Sequence, residues 1–174
     1  MTRPVRLIIY CAALALSACA SMQQGPRASA ALKPTAGNAA SGSVNFAQSG
    51  SKVVVSGEIR GLKPNAQHGF HVHDKGDCSG PDGMTTGGHF NPDGRPHGEH
   101  GHAPHHAGDL QSLRSDAQGV ASFRYESESI SVGSGAGNDV VGRGLIVHRD
   151  ADDYKTQPTG NSGARIACAV ITRT

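Results

Sequence analysis

The chain has 174 residues, room for a leader and one domain. Glycine is abundant at 24, aromatic residues are 4% and tryptophan is absent, which suits short strands and glycine-rich turns better than a helical bundle. The formal charge of +2 comes from Arg3 and Arg6 near the N-terminus, so the rest of the chain is balanced and has no bulk basicity to recruit nucleic acid or an anionic membrane surface.

Residues 1–18 read as a signal peptide. Arg3 and Arg6 form a positive start, and Leu7 to Leu16 is an apolar run. That run is too short to span a bilayer, which needs about 18 to 20 apolar residues. Leu16-Ser17-Ala18-Cys19 has the form of a lipobox, predicting cleavage before Cys19 and lipid on its thiol. The alternative is an ordinary signal peptide with an incidental cysteine. Arg3 and Arg6 are not adjacent, so a twin-arginine signal is not supported. The chain is therefore expected to cross the membrane unfolded, to reach the periplasm or cell envelope, and to take up any metal there. With Cys11 discarded and Cys19 lipidated, Cys78 and Cys168 remain. One pair in an exported protein reads as a disulfide, with two separate buried thiols as the alternative.

Residues 19–30 are small and polar and read as a tether from the lipidated cysteine, leaving 31–174 as the domain. Apolar residues then alternate with polar ones at Val44 and Phe46, at Val53, Val55 and Ile59, and at Phe70 and Val72. The pattern returns at Phe123 and Tyr125, Ile130 and Val132, Leu145 and Val147, and Ile166, Cys168 and Val170. This period of two predicts strands with one buried face, separated by turns at 61–65, 116–119 and 133–139. No segment carries a helical stripe. An all-β antiparallel sandwich or barrel follows. Residues 74–108, with nine Gly and four Pro, and residues 150–164 lack periodicity. Loops this long in a compact domain are usually functional.

Eight of the ten histidines fall between His71 and Asp109. On a strand, Phe70 and Val72 face the core, so His71 and His73 share the outer face, about 6.5 to 7 Å apart and able to reach one metal. The same logic turns His148 outward. His89, His97, His106 and Asp109 offer three imidazoles and a carboxylate, a donor set suited to tetrahedral zinc. His100, His102 and His105 read as solvent-exposed or weakly metal-binding. A low-complexity metal sponge is the plain alternative for the whole tract, but its placement inside a loop flanked by strands favours a defined site.

Taken together, Gly69-Phe-His-Val-His73, Gly76-Asp-Cys78, Gly88-His-Phe-Asn-Pro92, His97-Gly98, His106-Ala-Gly-Asp109, Val147-His-Arg-Asp-Ala-Asp-Asp153 and Gly160-Asn-Ser-Gly-Ala-Arg-Ile-Ala-Cys168 resemble the copper,zinc superoxide dismutases of the bacterial exported type. The resemblance covers roughly residues 40–171 and implies a Greek-key, immunoglobulin-like β-sandwich or barrel with two long functional loops. It implies one copper and one zinc ion per subunit. Copper would be bound by His71, His73, His89 and His148, and zinc by His89, His97, His106 and Asp109, with His89 as the shared bridge. Cys78 and Cys168 would form the disulfide, and Asp152 would accept hydrogen bonds from one histidine of each metal site. The implied reaction is dismutation of superoxide to dioxygen and hydrogen peroxide by alternate reduction and oxidation of copper. His89 would hold the transferable proton and Arg165 would guide the anion, with Lys155 a second candidate for steering. The implied role is protection of the envelope from superoxide arising outside the cytoplasm. The rival is a non-catalytic copper- or zinc-binding lipoprotein, or a metallochaperone-like relative. It leaves the complete ligand set and Arg165 unexplained. The subunit is expected as a monomer or homodimer.

Overall fold

A computed structural model describes residues 25–174. The expected leader and the lipidation position Cys19 lie outside these residues. The described residues form ten strands and one short 3-10 turn, Met84–Thr86. The strands are β1 (Arg27–Pro34), β2 (Ser41–Ser49), β3 (Lys52–Arg60), β4 (Gln67–His68), β5 (Phe70–His73), β6 (Leu113–Arg114), β7 (Ala121–Ser127), β8 (Gly144–His148), β9 (Arg165–Val170) and β10 (Thr172–Arg173).

The main sheet is antiparallel and runs in the order β5-β8-β9-β1-β2-β3-β7, with β10 on β1, and β4 pairs with β6 apart from it. Consecutive strands β1 to β3 are neighbours, but β5 and β7 lie at opposite ends of the sheet. The chain therefore crosses from end to end in the manner of a Greek key. The sheet curls into a half-barrel whose ends meet across the core, where the ring of Phe70 meets that of Phe123 edge-on, 5.6 Å between centroids. Gly57 on β3 leaves room there, because a Cβ at that position would lie 3.2 Å from the Phe123 ring.

The alternation read from the sequence holds where one face meets water. Val44 and Phe46 on β2 and Val53, Val55 and Ile59 on β3 are buried, with Asn45 and Glu58 exposed between them. Three expectations are corrected. The tether does not extend to residue 30, because β1 begins at Arg27 and buries Ala28, Ala30 and Leu32 against β2. Ile130 and Val132 are buried but lie in no strand, since Ser131 makes only an isolated parallel bridge to Asp139. His71, His73 and His148 do not face solvent: β5 and β8 are buried along their whole length.

The two long loops cause that burial. The first folds back along the free edge of β5, where Val72 N–H donates to Gly108 O (2.9 Å), Phe90 N–H to Val72 O (2.8 Å) and Leu110 N–H to Phe70 O (3.2 Å). These bonds satisfy an edge that would otherwise be open to pairing. The disulfide Cys78–Cys168 ties this loop to β9 across a sequence separation of 90, a closure that chain entropy values at about 4 to 5 kcal/mol. The second loop is pinned at its neck by Gly69 N–H to Asp150 O and Asp150 N–H to Ser162 O, both 2.9 Å.

Candidate metal centre

The edge pairing determines the site. Isolated antiparallel bridges set Asp109 opposite His71 and His89 opposite His73. Residues remote in sequence are thus brought beside the strand whose imidazoles point the same way, and β8, the neighbour of β5, adds His148. Two groups result. His71, His73, His89 and His148 offer donor atoms within 4.8 Å of one another, and so do His89, His97, His106 and Asp109. All seven residues are buried. The groups share His89, whose ring stacks on His71 at 3.9 Å and lies 5.2 Å from His97 and 5.5 Å from His106.

Hydrogen bonds fix which nitrogen each ring presents. His71 Nε2 donates to Asp152 Oδ2 (2.7 Å), His73 Nδ1 to Gly87 O (2.9 Å) and His148 Nδ1 to Gly163 O (3.2 Å). Their other nitrogens, with His89 Nε2, are buried and have no hydrogen-bond partner. An unpaired buried polar atom costs about 1–3 kcal/mol, so four such atoms converging on one place fit a metal ion that imidazole binds well, copper among them. On the other side, Asp109 Oδ1 lies 2.9 Å from His89 Nδ1, 3.0 Å from His97 Nδ1 and 3.3 Å from His106 Nδ1. Three imidazoles and one carboxylate around a common point fit a closed tetrahedral zinc site.

Electrostatics separates the two groups. Burial, followed by the positive charge of neighbouring groups that include Arg165, pushes His73 and His148 well below the usual imidazole range. Burial and then His71 take His89 down to about 3. These rings are neutral at physiological pH and keep lone pairs for a metal. His97 goes the other way: burial opposes its charge, but hydrogen bonds to Asp109 and Asp152 outweigh this and raise it to about 9. Asp109 is held far below the carboxylate range, because bonds from His106, His89 and His97 overcome the effect of burial.

Asp152 links the groups, accepting from His71 on Oδ2 and from His97 Nε2 on Oδ1 at 2.9 Å. Gly160 makes room for it. Its φ is +64°, and a Cβ there would collide with Asp152 Oδ1 and crowd His97 Nε2. Arg165, at the start of β9, is half-buried. It donates to Gly83 O (2.8 Å), Thr86 Oγ1 (2.9 Å) and Gly87 O (2.7 Å). The Gly87 carbonyl also takes the His73 bond, so the guanidinium stands beside the first group.

The remaining histidines stay outside both groups. His102 is exposed beside Glu99, as the sequence suggested. His100 is partly buried instead, with Nδ1 3.0 Å from Asp109 O and its ring 5.3 Å from that of Tyr125. His105 Nδ1 lies 2.7 Å from His106 O. Lys155 is exposed on the second loop. Sequence reasoning passed over His68, which is buried with Nδ1 2.9 Å from His148 O, and Gln157, whose carboxamide bonds the backbone of His97. Both act on main-chain groups, for which no residue pattern gives a signal.

Comparison with known proteins agrees with this geometry. The family model for copper/zinc superoxide dismutase matches residues 40–171. The Cu-Zn superoxide dismutase of Paramecium bursaria Chlorella virus 1 is 41% identical over 137 residues, covering 75% of this chain and 71% of its own. Cu-Zn superoxide dismutase 2 of Aquifex aeolicus (strain VF5) is 36% identical over 155 residues, 87% of this chain and 90% of its own. The crystal structure of the clock protein EA4 superposes with a TM-score of 0.77 at 37% identity, over 85% of this chain and 94% of that one. The half-barrel, the joined imidazole groups and relatives matched over most of their length lead to one conclusion: the chain belongs to the copper/zinc superoxide dismutase family.

Proposed function

We propose the following residue assignment for this superoxide dismutase, which converts superoxide to dioxygen and hydrogen peroxide with one copper and one zinc ion. His71, His73, His89 and His148 hold copper. His89, His97, His106 and Asp109 hold zinc. The observation that carries the assignment is the set of four buried, unpartnered ring nitrogens, each presented by a ring that is anchored at, or facing the other group with, its opposite nitrogen. Copper supplies the one-electron couple of the reaction, and zinc a fixed positive charge without redox chemistry.

The residues do the rest. His89 offers Nδ1 to one group and Nε2 to the other, and Nε2 is where a proton can be held and passed to the departing peroxide. Asp152 keeps His71 and His97 in orientation, and the loss of such a contact commonly costs about 10- to 100-fold in metal affinity or activity. Arg165 places a fixed positive charge where a small anion must arrive. With a balanced overall charge, steering depends on this local field. His148→Ala tests the assignment: the variant should fold, retain zinc and lose most dismutase activity. Near-normal activity with His148 removed would refute the copper assignment. Metal analysis and a dismutation assay on the same sample read both outcomes.

The chain acts outside the cytoplasm in this proposal, anchored by lipid on Cys19 and protecting the envelope. The leader residues support this, and the Cys78–Cys168 disulfide suits an oxidising compartment. Cys19→Ala should abolish palmitate labelling and release the protein from membranes. Labelling that survives the substitution rules the anchor out.

A further inference from the structure

We infer that Gln157 is a positioning residue for the zinc site, acting through the backbone of His97. His97 lies in the long stretch between β5 and β6 that contains no regular strand, so no ladder serves its peptide groups. Buried peptide groups must nevertheless be paired. The partner is a side chain 60 residues further on: His97 N–H donates to Gln157 Oε1 at 2.8 Å, and Gln157 Nε2 donates to His97 O at 3.0 Å. A second acceptor, Lys155 O at 3.4 Å, holds the same amide nitrogen. One carboxamide thus reproduces the two-bond exchange of an antiparallel residue pair.

The consequence lies in how His97 is aimed. Asp152, five residues before Gln157, takes the ring at Nε2. Backbone and ring of His97 are therefore gripped by one segment of the second loop, and Nδ1 is left facing Asp109 Oδ1 at 3.0 Å. The other zinc-side residues are placed differently. Asp109 Oδ2 accepts from His106 N–H (2.9 Å) and Gly98 N–H (3.1 Å), and His89 is bridged to His73 on β5. Zinc–nitrogen bonds of about 2.0–2.1 Å leave little tolerance for a displaced ring. Without the clamp, the ring keeps Asp152 but its main chain is free to drift, and the zinc is held less well.

This inference rests on the assignment of His97 to zinc, and the test separates the two. Protein loaded with zinc alone is mixed with a chromogenic chelator, and the release rate is measured for wild type, Gln157→Met, Gln157→Asn and His97→Ala, well below the melting temperature of each. Met matches the length of Gln without its polar groups. Asn keeps the amide but is one methylene too short to reach both groups. Release about tenfold faster from either Gln157 variant, with His97→Ala faster still, is expected. Release from both Gln157 variants within twofold of wild type overturns the inference, even if their metal-free melting temperature falls, since that would make Gln157 a tie between loops and nothing more. Should Gln157→Met not fold, Gln157→Asn decides. Wild-type and His97→Ala proteins that release zinc alike would instead overturn the assignment of His97.

Discussion

Arg165 shows how much can depend on the partners of a single side chain. Its bonds go to two carbonyls and a hydroxyl, all neutral, and the charge of Asp82 acts on it without an ion-pair contact. Its charge is thus fixed in place without being neutralised by contact. Burial lowers its pKa, yet a guanidinium remains charged at any pH of interest. Arg165→Ala should lower kcat/KM roughly tenfold and flatten its dependence on ionic strength, with copper content unchanged. Arg165→Lys should retain part of the salt response but lose the planar fork that spans the 83–87 turn. If the alanine variant responds to salt as wild type does, the steering role fails. The residue was legible through the family resemblance, whose Gly160-to-Cys168 motif contains it. Its anchoring was not, because the acceptors are main-chain groups and one hydroxyl.

At the scale of elements, the strands with one wet face were readable and those without were not. β2 and β3 show clean alternation, whereas β5 and β8 are buried on both faces, so His71, His73 and His148 look outward in the sequence and are covered in the fold. The covering comes from loops, whose irregularity marked them as functional but concealed their pairing along β5. β1 escapes the alternation because Ala28 and Ala30 are too small to stand out against a polar background. The second loop carries its own prediction. Gly160 has a positive φ and sits where a Cβ would strike Asp152 and His97. Gly160→Ala should therefore displace the Asp152 bridge and weaken zinc binding by about 10- to 100-fold. Gly135→Ala is the control. It has φ +70° and open space around it, so it bears the backbone strain without the collision and should leave zinc affinity near wild type. Equal zinc affinities in the two variants would remove the steric argument.

At the scale of the molecule, the metal centre is also a folding element, since it joins β5, β8 and both loops. A ligand that binds only the folded state stabilises it by an amount that grows with the logarithm of its concentration over Kd. In the metal-free protein the same contacts make stability depend on pH from two sides. Asp109 and Asp152 have folded pKa values below the ordinary 3.8. Their contribution is present above that value and fades as pH falls toward the depressed folded values. His97 is raised from 6.5 to about 9. Its contribution is complete below 6.5 and is lost as pH rises through about 9. The buried neutral rings of His71, His73, His89 and His148 add a further acid-side dependence: their folded pKa values lie below 6.5, so stability falls as pH drops below 6.5. Metal-free protein should therefore be most stable near pH 6.5, weakening toward acid and also from pH 6.5 to 9, as read by chemical denaturation at fixed ionic strength. Zinc reverses this trend, because a metal must displace the His97 proton. Zinc affinity should rise about tenfold per pH unit between pH 6.5 and 8.5, with close to one proton released per zinc in calorimetry performed in buffers of different ionisation enthalpy. His97→Ala should abolish both the proton release and the alkaline loss of metal-free stability. If either persists in that variant, the charged His97 between Asp109 and Asp152 is not its source.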